Sequence, residues 1–137
     1  MSEQGAAFAS KLTVVRMATV GADARLHCVP VCCLISPERA LVMTGTTSKK
    51  ARNVRDSGRA AVSADDSNAV RGVMIEGPAR VIDDPREFHD AQEVLLSAGR
   101  LRRRREFGEE AIIVITPECW VEWGFEAEGA PNNGEGP

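Results

Sequence analysis

The 137-residue sequence predicts a mainly β domain: a small antiparallel barrel of six to seven strands with two or three inserted helices. Short β-branched runs recur along the chain and are separated by turns, a pattern typical of hairpins. Hydrophobic residues make up 43% of the chain and aromatic residues only 4%, which predicts an aliphatic core. With no internal repeat or linker, residues 1–125 are expected to form a single domain. The Gly-, Asn- and Glu-rich tail, 126–137, is expected to be disordered.

The strands are predicted from runs of Val, Ile, Leu, Ala and Met bounded by turn residues. Pro30 lies inside the second run, where it removes a ladder donor and so indicates an edge or a bulge. Gly77 and Pro78 lie inside the fifth run and indicate a bulge or a bend. The predicted strands are residues 12–20, 25–35, 40–44, 59–64, 72–82, 111–116 and 118–125.

Three helices are inserted between or before these strands. A short one is predicted within the first ten residues, where small residues dominate. A basic helix is predicted to begin after Ser48, a natural N-cap, and to end at Gly58. Asp84 and Pro85 predict the start of a third helix, and apolar residues at helical spacing give it one buried face.

Composition excludes several functional classes. A net charge of −3 with 27% charged residues excludes global disorder and the generally basic surface of a nucleic-acid-binding protein. No apolar run reaches the ~20 residues that a membrane-spanning helix needs, so no membrane partner is expected. The first residues lack the charged start and apolar stretch of a signal peptide, which favours a cytoplasmic protein. With two His, four scattered Cys and no Tyr, the chain offers few catalytic side chains, which favours an enzyme whose chemistry is carried by something other than its side chains.

The four cysteines form no CxxC pair and suggest no metal site, so no metal is expected. In a cytoplasmic protein they are expected to be reduced. Cys28 and Cys32 are four residues apart on a predicted strand and so share one face, whereas Cys33 points to the other. We interpret all four, Cys119 included, as small buried apolar side chains. No catalytic residue is assigned.

An arginine-rich run spans residues 100–105 and is followed by three glutamates. A solvated charged face is the default interpretation of such a run. A site for the carboxylates or phosphates of a ligand is the alternative, because guanidinium groups bind such anions in bidentate fashion. Nucleic-acid binding is the least favoured of the three, since no aromatic residues interleave with the arginines.

The segment from Thr44 to Val54 carries the strongest chemical signal. A strand leads to Gly45, and hydroxyl side chains then precede a basic helix. Hydroxyl donors, the amides of a helix N-terminus and a cationic side chain together can hold a phosphate. The alternative is an ordinary basic surface helix after a hairpin.

Four segments in order resemble one known family: 16–20 with 29–31, 48–54, 59–63 and 73–79. Together they resemble the pyridoxamine 5′-phosphate oxidase-like superfamily, whose fold is the FMN-binding split β-barrel. The similarity is strongest to its flavin/deazaflavin oxidoreductases, which use FMN or the deazaflavin coenzyme F420. The resemblance covers roughly residues 10 to 125. It therefore implies the fold of nearly the whole predicted domain.

The resemblance implies a homodimer with two cofactor sites at the subunit interface. A Ser-x-Lys-x-x-Asn signature would contact the cofactor phosphate, and a stretch of the second strand would lie along the ring system. Trp123 would either approach the cofactor of the partner subunit or belong to the core. The implied phosphate-binding residues are Ser48, Lys50 and Asn53, with Thr44, Thr46 and Thr47 nearby. The implied ring-binding residues are Pro30, Val31 and Cys32.

The function implied is a cofactor-dependent oxidoreductase that binds F420 and transfers hydride to a small conjugated molecule. One alternative is an FMN-dependent reductase or oxidase of the same fold. Another is a flavin- or deazaflavin-binding protein without turnover. The chain lacks the fuller Arg-rich phosphate signature of true pyridoxamine phosphate oxidases, so that reaction is not expected. The arginine-rich run, 100–105, would suit the acidic glutamyl tail of F420.

Overall fold

Seven strands and three helices make up the described part of the chain, residues 1–11, 14–66 and 70–125 of a computed structural model. The predicted disordered tail lies outside the described residues. Within the described ranges, no helix is long and apolar enough to cross a membrane. The elements are α1 (Glu3–Ser10), β1 (Val14–Val20), β2 (Leu26–Ile35), β3 (Ala40–Gly45), α2 (Lys49–Ser57), β4 (Arg59–Asp65), β5 (Gly72–Val81), α3 (Pro85–Ser97), β6 (Glu110–Ile115) and β7 (Cys119–Trp123).

Six of the strands close into an antiparallel barrel, which confirms the predicted fold class. The ring runs β1-β2-β3-β6-β5-β4 and is closed by the pairing of β4 with β1. Strand β7 lies outside the ring and pairs with the first half of β5. Closure leaves few free strand edges, because each barrel strand has a neighbour on either side for at least part of its length.

Pro30 occupies an open stretch of β2. This strand pairs with β1 along residues 26–32 and with β3 only along residues 33–35. At Pro30 the described neighbour is therefore β1 alone, through Arg16. The predicted edge position is confirmed, and it is one where proline is tolerated.

Gly77 and Pro78 mark the point where β5 changes partner. The strand pairs with β7 as far as Glu76 and with β6 from Ala79 onward. Between these pairings, the Thr116 amide donates to the Pro78 carbonyl at 2.9 Å. A Cβ atom on Gly77 would lie 1.9 Å from the Thr116 carbonyl oxygen. Only glycine therefore allows the backbone to pass this close.

The core has two parts, and both are aliphatic as predicted. Side chains such as Met17, Ile75 and Ile113 fill the barrel and are fully buried. A second cluster lies between α3 and the outer face of β3 and β6, where Phe88 and Leu95 pack on the sheet. Phe88 is the one aromatic side chain among the buried core residues of the described ranges.

The cysteines do not behave as one class. Cys33 is buried in the barrel, and burial raises the pKa of its thiol to about 12, so it stays protonated at neutral pH. Cys28, Cys32 and Cys119 are exposed. The prediction that all four are buried is therefore wrong for these three. For Cys28 and Cys32 the reason is the alternation of β2, which puts them on the outer face of the sheet when Cys33 points inward, and Cys119 lies on β7, outside the barrel ring.

Candidate functional site

The turn from β3 into α2 has the predicted capped geometry. Ser48 has an extended backbone, and its hydroxyl oxygen accepts a hydrogen bond from the Ala51 amide at 3.2 Å. The Thr44 hydroxyl, at the end of β3, donates to the same oxygen at 3.0 Å. Two hydroxyl groups therefore lie at the start of α2, where the first amides of a helix have no intrahelical acceptor and the helix dipole favours an anion.

Lys50 lies in the first turn of this helix and lines a cleft of about 580 Å³ beside it. The cleft floor comes from β2 and β3, and its far wall comes from the segment between α3 and β6. Five of the predicted site residues meet here: Pro30, Val31, Cys32, Thr44 and Lys50. The other lining residues are Met43, Arg100, Leu101, Arg102, Arg103, Arg105 and Glu110.

The remaining predicted residues lie outside this lining. Ser48 reaches the site only through its bond to Thr44. Thr46 lines a neighbouring depression, where its carbonyl accepts from Arg55 Nη1 at 2.7 Å. Thr47 is exposed on the turn.

Asn53 is placed differently from what the resemblance implies. Its side chain is only 2% exposed, and its Nδ2 donates to the Thr19 hydroxyl of β1 at 3.0 Å. This buried bond joins α2 to the barrel wall. Asn53 therefore supports α2, the helix that carries Lys50, and it is not among the residues that line the cleft.

Trp123 also lies outside the cleft lining. It is half-buried on β7 and packs on Gly72, where a Cβ atom would lie 2.1 Å from the indole ring. The resemblance left two alternatives for Trp123, an approach to the partner's cofactor or a place in the core. Within one chain, Trp123 packs as a structural side chain. Its indole Nε1 is buried with no hydrogen-bond partner among the residues that the structure describes.

The arginine-rich run contributes the far wall of the cleft, and we refer to residues 100–105 as the arginine loop. Leu101 anchors it by packing against the cluster beneath α3. The buried Gln92 holds the main chain of Arg105 from both sides: Gln92 Oε1 accepts from the Arg105 amide and Nε2 donates to its carbonyl. The arginine loop is therefore not only a solvated charged face, because Leu101 and the main chain of Arg105 are fixed against the rest of the protein. The run alone could suggest a ligand site, but only the tertiary packing shows which cleft it lines.

The cleft is strongly positive. Lys50 and four arginines line it, and Glu110 is its one carboxylate within the described residues. Glu110 accepts from Arg105 Nη1 at 3.1 Å, so that carboxylate neutralises one of the five cations. In a chain whose net charge is −3, such a local excess of positive charge favours an anionic ligand.

The lining suits a ligand with a phosphate at one end and a flat apolar body. The phosphate would meet Lys50 and the start of α2, and the body would lie over Pro30 and Met43. The cleft volume of about 580 Å³ is within the usual range for small-molecule and cofactor sites. No group of three or more His, Cys, Asp or Glu side chains placed to hold a metal occurs among the described residues.

Solved structures share this fold over most of the chain. A conserved hypothetical protein of Mycobacterium tuberculosis superposes with a TM-score of 0.75 at 23% identity, covering 96% of this chain and 89% of that one. A protein described as an F420 reductase superposes with a TM-score of 0.71 at 17% identity, covering 88% of this chain and 98% of that one. At these identities the likeness concerns the fold.

Sequence comparison identifies a relative and a matching family model. A Streptomyces rimosus protein named 5a,11a-dehydrotetracycline/5a,11a-dehydrooxytetracycline reductase is 34% identical over 122 residues, covering 82% of this chain and 75% of the relative. The family model described as pyridoxamine 5′-phosphate oxidase matches residues 1–124. This match confirms the resemblance seen in the sequence, and the chain belongs to the pyridoxamine 5′-phosphate oxidase-like split-barrel family.

Proposed function

We propose that the protein is an oxidoreductase that holds a flavin-type cofactor in the positive cleft and reduces a small conjugated molecule. This proposal rests on one observation: three features lie around the same cleft. They are the hydroxyl-capped start of α2, Lys50 and the floor formed by β2. Among flavin-type cofactors we favour the deazaflavin F420 over FMN. The F420 reductase with the same fold supports this choice.

Lys50 and the start of α2 are the proposed phosphate site. The lysine ammonium supplies a point charge, and the first amides of α2 supply donors that no intrahelical acceptor uses. Thr44 and Ser48 orient each other through their 3.0 Å bond and hold the turn in place. Asn53 contributes to this site indirectly, because its hydrogen bond to Thr19 fixes α2 on the barrel.

The floor of the cleft is the proposed ring site. Pro30 and Met43 present apolar atoms that would exclude water from one face of a planar ring system, whereas Val31 borders the cleft with its side chain buried in the barrel. The reduced cofactor supplies the hydride when bound, and the acceptor takes up one proton to complete a two-electron reduction. The only carboxylate of the described lining, Glu110, is engaged by Arg105. The proton is therefore proposed to come from solvent.

The Streptomyces relative supports reduction as the reaction class. Its name describes a reductase of dehydrotetracyclines, and it matches most of this chain at 34% identity. A conjugated polycyclic acceptor is therefore the first substrate class to test.

We propose that two copies of the chain pair through the outer face of β1, β2 and β4. Register places Cys28, Ala18 and Ala61 side by side on this face. Leu26 lies at one end of β2 with 87% of its surface exposed. A flat patch of small and apolar side chains with such a leucine is typical of a surface that another chain covers.

Leu26→Glu is expected to shift the protein toward a monomer, because a carboxylate at this position would have to be desolvated in the interface. Sedimentation equilibrium measures the change. Val94→Glu, a similar substitution on the exposed side of α3, is the control and should leave the mass unchanged. A monomeric wild-type protein, or a dimer unaffected by Leu26→Glu, would contradict the proposed interface.

Equilibrium titration tests the cofactor proposal. F420, FMN and riboflavin are added separately to the purified protein, and fluorescence reports binding. We expect saturable F420 binding and weaker binding of riboflavin than of FMN, since riboflavin lacks the phosphate. Tightly held FMN in the protein as purified would favour the FMN-dependent alternative. Binding without oxidation of the reduced cofactor by any acceptor would favour a protein without turnover.

A further inference from the structure

We propose that a second cavity, beside the C-terminal half of α2, binds a small aromatic zwitterion, that is, a flat ring system that carries one cationic and one anionic group. The cavity has a volume of about 550 Å³, within the usual range for small-molecule sites. We refer to it as the α2 pocket. Its lining shares only Glu110 with that of the positive cleft, so it is a separate site. The inference goes beyond the proposed function and does not depend on it.

The floor of the α2 pocket is apolar. It is formed where α2 packs on β5 and β6, and each of these three elements contributes an aliphatic side chain. Val54 of α2 and Ala111 of β6 are almost fully buried, and Val81 of β5 is half-buried beside them. The body of a ligand that rests on this floor would therefore be apolar.

Phe107 forms one rim of the α2 pocket and is held in place. Its ring packs edge-to-face on the buried Phe88, with the ring centroids 5.4 Å apart. The turn that carries it is closed by a hydrogen bond from the Glu110 amide to the Glu106 carbonyl at 2.9 Å. Phe107 nevertheless stays 41% exposed, so part of its ring is open to a ligand. A fixed aromatic rim beside an apolar floor favours a flat ring system, since aromatic pairs gain energy beyond the area that they bury.

Four charged side chains line the α2 pocket, and two of them already have partners. Arg80 donates to Glu87 through both of its terminal nitrogens. Glu110 accepts from Arg105 at 3.1 Å. Neither Arg80 nor Glu110 therefore contributes a charge that a ligand would have to neutralise.

The other two charged side chains, Arg55 and Asp83, are available to a ligand. Both are exposed, and neither makes an ion pair with any residue in the described ranges. Arg55 Nη1 donates to the Thr46 carbonyl at 2.7 Å, which fixes the guanidinium group at the rim and leaves its other N–H groups unused. A ligand that pairs with both would present an anionic group to Arg55 and a cationic group to Asp83. A ligand with a single charge would leave one of them unpaired.

The test uses three probes that share one ring system and differ in charge: L-tryptophan carries both groups, indolepropionate only the carboxylate, and tryptamine only the ammonium. Isothermal titration at low salt measures the binding of each to the wild-type protein. We expect L-tryptophan to bind saturably and each singly charged probe to bind about fivefold more weakly, the effect of one exposed ion pair.

Two variants assign the charges to their partners. Arg55→Ala is expected to weaken L-tryptophan and indolepropionate about fivefold and to leave tryptamine unaffected. Asp83→Asn is expected to weaken L-tryptophan and tryptamine by a similar factor and to leave indolepropionate no weaker. Arg52→Ala is the matched control, because Arg52 is an exposed arginine on the same helix and lies outside the lining of the α2 pocket.

The inference is overturned if L-tryptophan does not bind the wild type at millimolar concentration, or if a singly charged probe binds as tightly as L-tryptophan does. It is also overturned if Arg55→Ala binds L-tryptophan as tightly as Arg52→Ala does. An equal loss in Lys50→Ala would place the ligand in the positive cleft and would overturn it as well. None of these titrations contains F420 or FMN, so their result is independent of whether the proposed function is correct.

Discussion

Lys50→Ala is expected to weaken the binding of a phosphate-bearing cofactor by roughly 1.5–3 kcal/mol, the contribution of a hydrogen bond to a charged group. This corresponds to a roughly ten- to hundredfold higher Kd. The reason is geometric: Lys50 is the one lysine that lines the cleft within the described residues, and it lies beside the hydroxyl-capped start of α2. Fluorescence titration with the phosphate-bearing cofactor and its dephosphorylated form measures the effect, and the dephosphorylated form should be nearly insensitive.

Lys49→Ala is the matched control for that change. Lys49 is the preceding residue, carries the same charge, and is exposed outside the cleft lining. If the two variants lost affinity equally, the effect would be one of overall charge, and the phosphate site would have to be placed elsewhere.

Gly77→Ala is expected to lower the free energy of unfolding by about 3 kcal/mol, the upper part of the usual range for overpacking. A Cβ atom at this position would lie 1.9 Å from the Thr116 carbonyl oxygen, and that atom belongs to backbone rather than to a flexible side chain. The strain would fall where β5 changes partner from β7 to β6. Thermal unfolding should show a Tm lower by roughly 10 °C.

Gly45→Ala makes the same chemical change where there is room. A Cβ atom on Gly45 would meet no described heavy atom within 4 Å, and its backbone is not left-handed. Its Tm should therefore stay close to that of the wild type. If Tm fell equally in both variants, the lost stability would come from replacing a glycine in a strand and not from the close approach at Gly77.

The fold was predictable because its signals are local. Each strand is a β-branched run bounded by turn residues, and the observed bounds of β1 to β7 lie close to those predicted. Ser48 and Asp84 cap α2 and α3 as expected, since a cap needs only a side chain and the amides just after it. The family resemblance then predicted that these strands form a split β-barrel, but the order in which they close was seen only in the structure.

The details of the candidate site were less predictable because they depend on contacts between distant segments. The sequence indicates that Asn53 follows a basic helix start, but not that Thr19, 34 positions earlier, accepts its side-chain hydrogen bond. The position of the arginine loop depends on Leu101 and Gln92, whose packing partners lie in other elements. The exposure of Cys28 and Cys32 depends on which face of β2 turns toward the barrel.

The proposed function requires that the cleft hold a cofactor from which the protein reduces a conjugated acceptor. Its most direct test is a single-turnover experiment without oxygen, in which reduced F420 or reduced FMN bound to the protein is mixed with a dehydrotetracycline or a simpler enone. We predict that the bound cofactor is oxidised as the acceptor is reduced, in a one-to-one ratio, and that Lys50→Ala needs more cofactor for the same rate. A bound cofactor that stays reduced with every acceptor, or an equal rate without the protein, would contradict the proposed function.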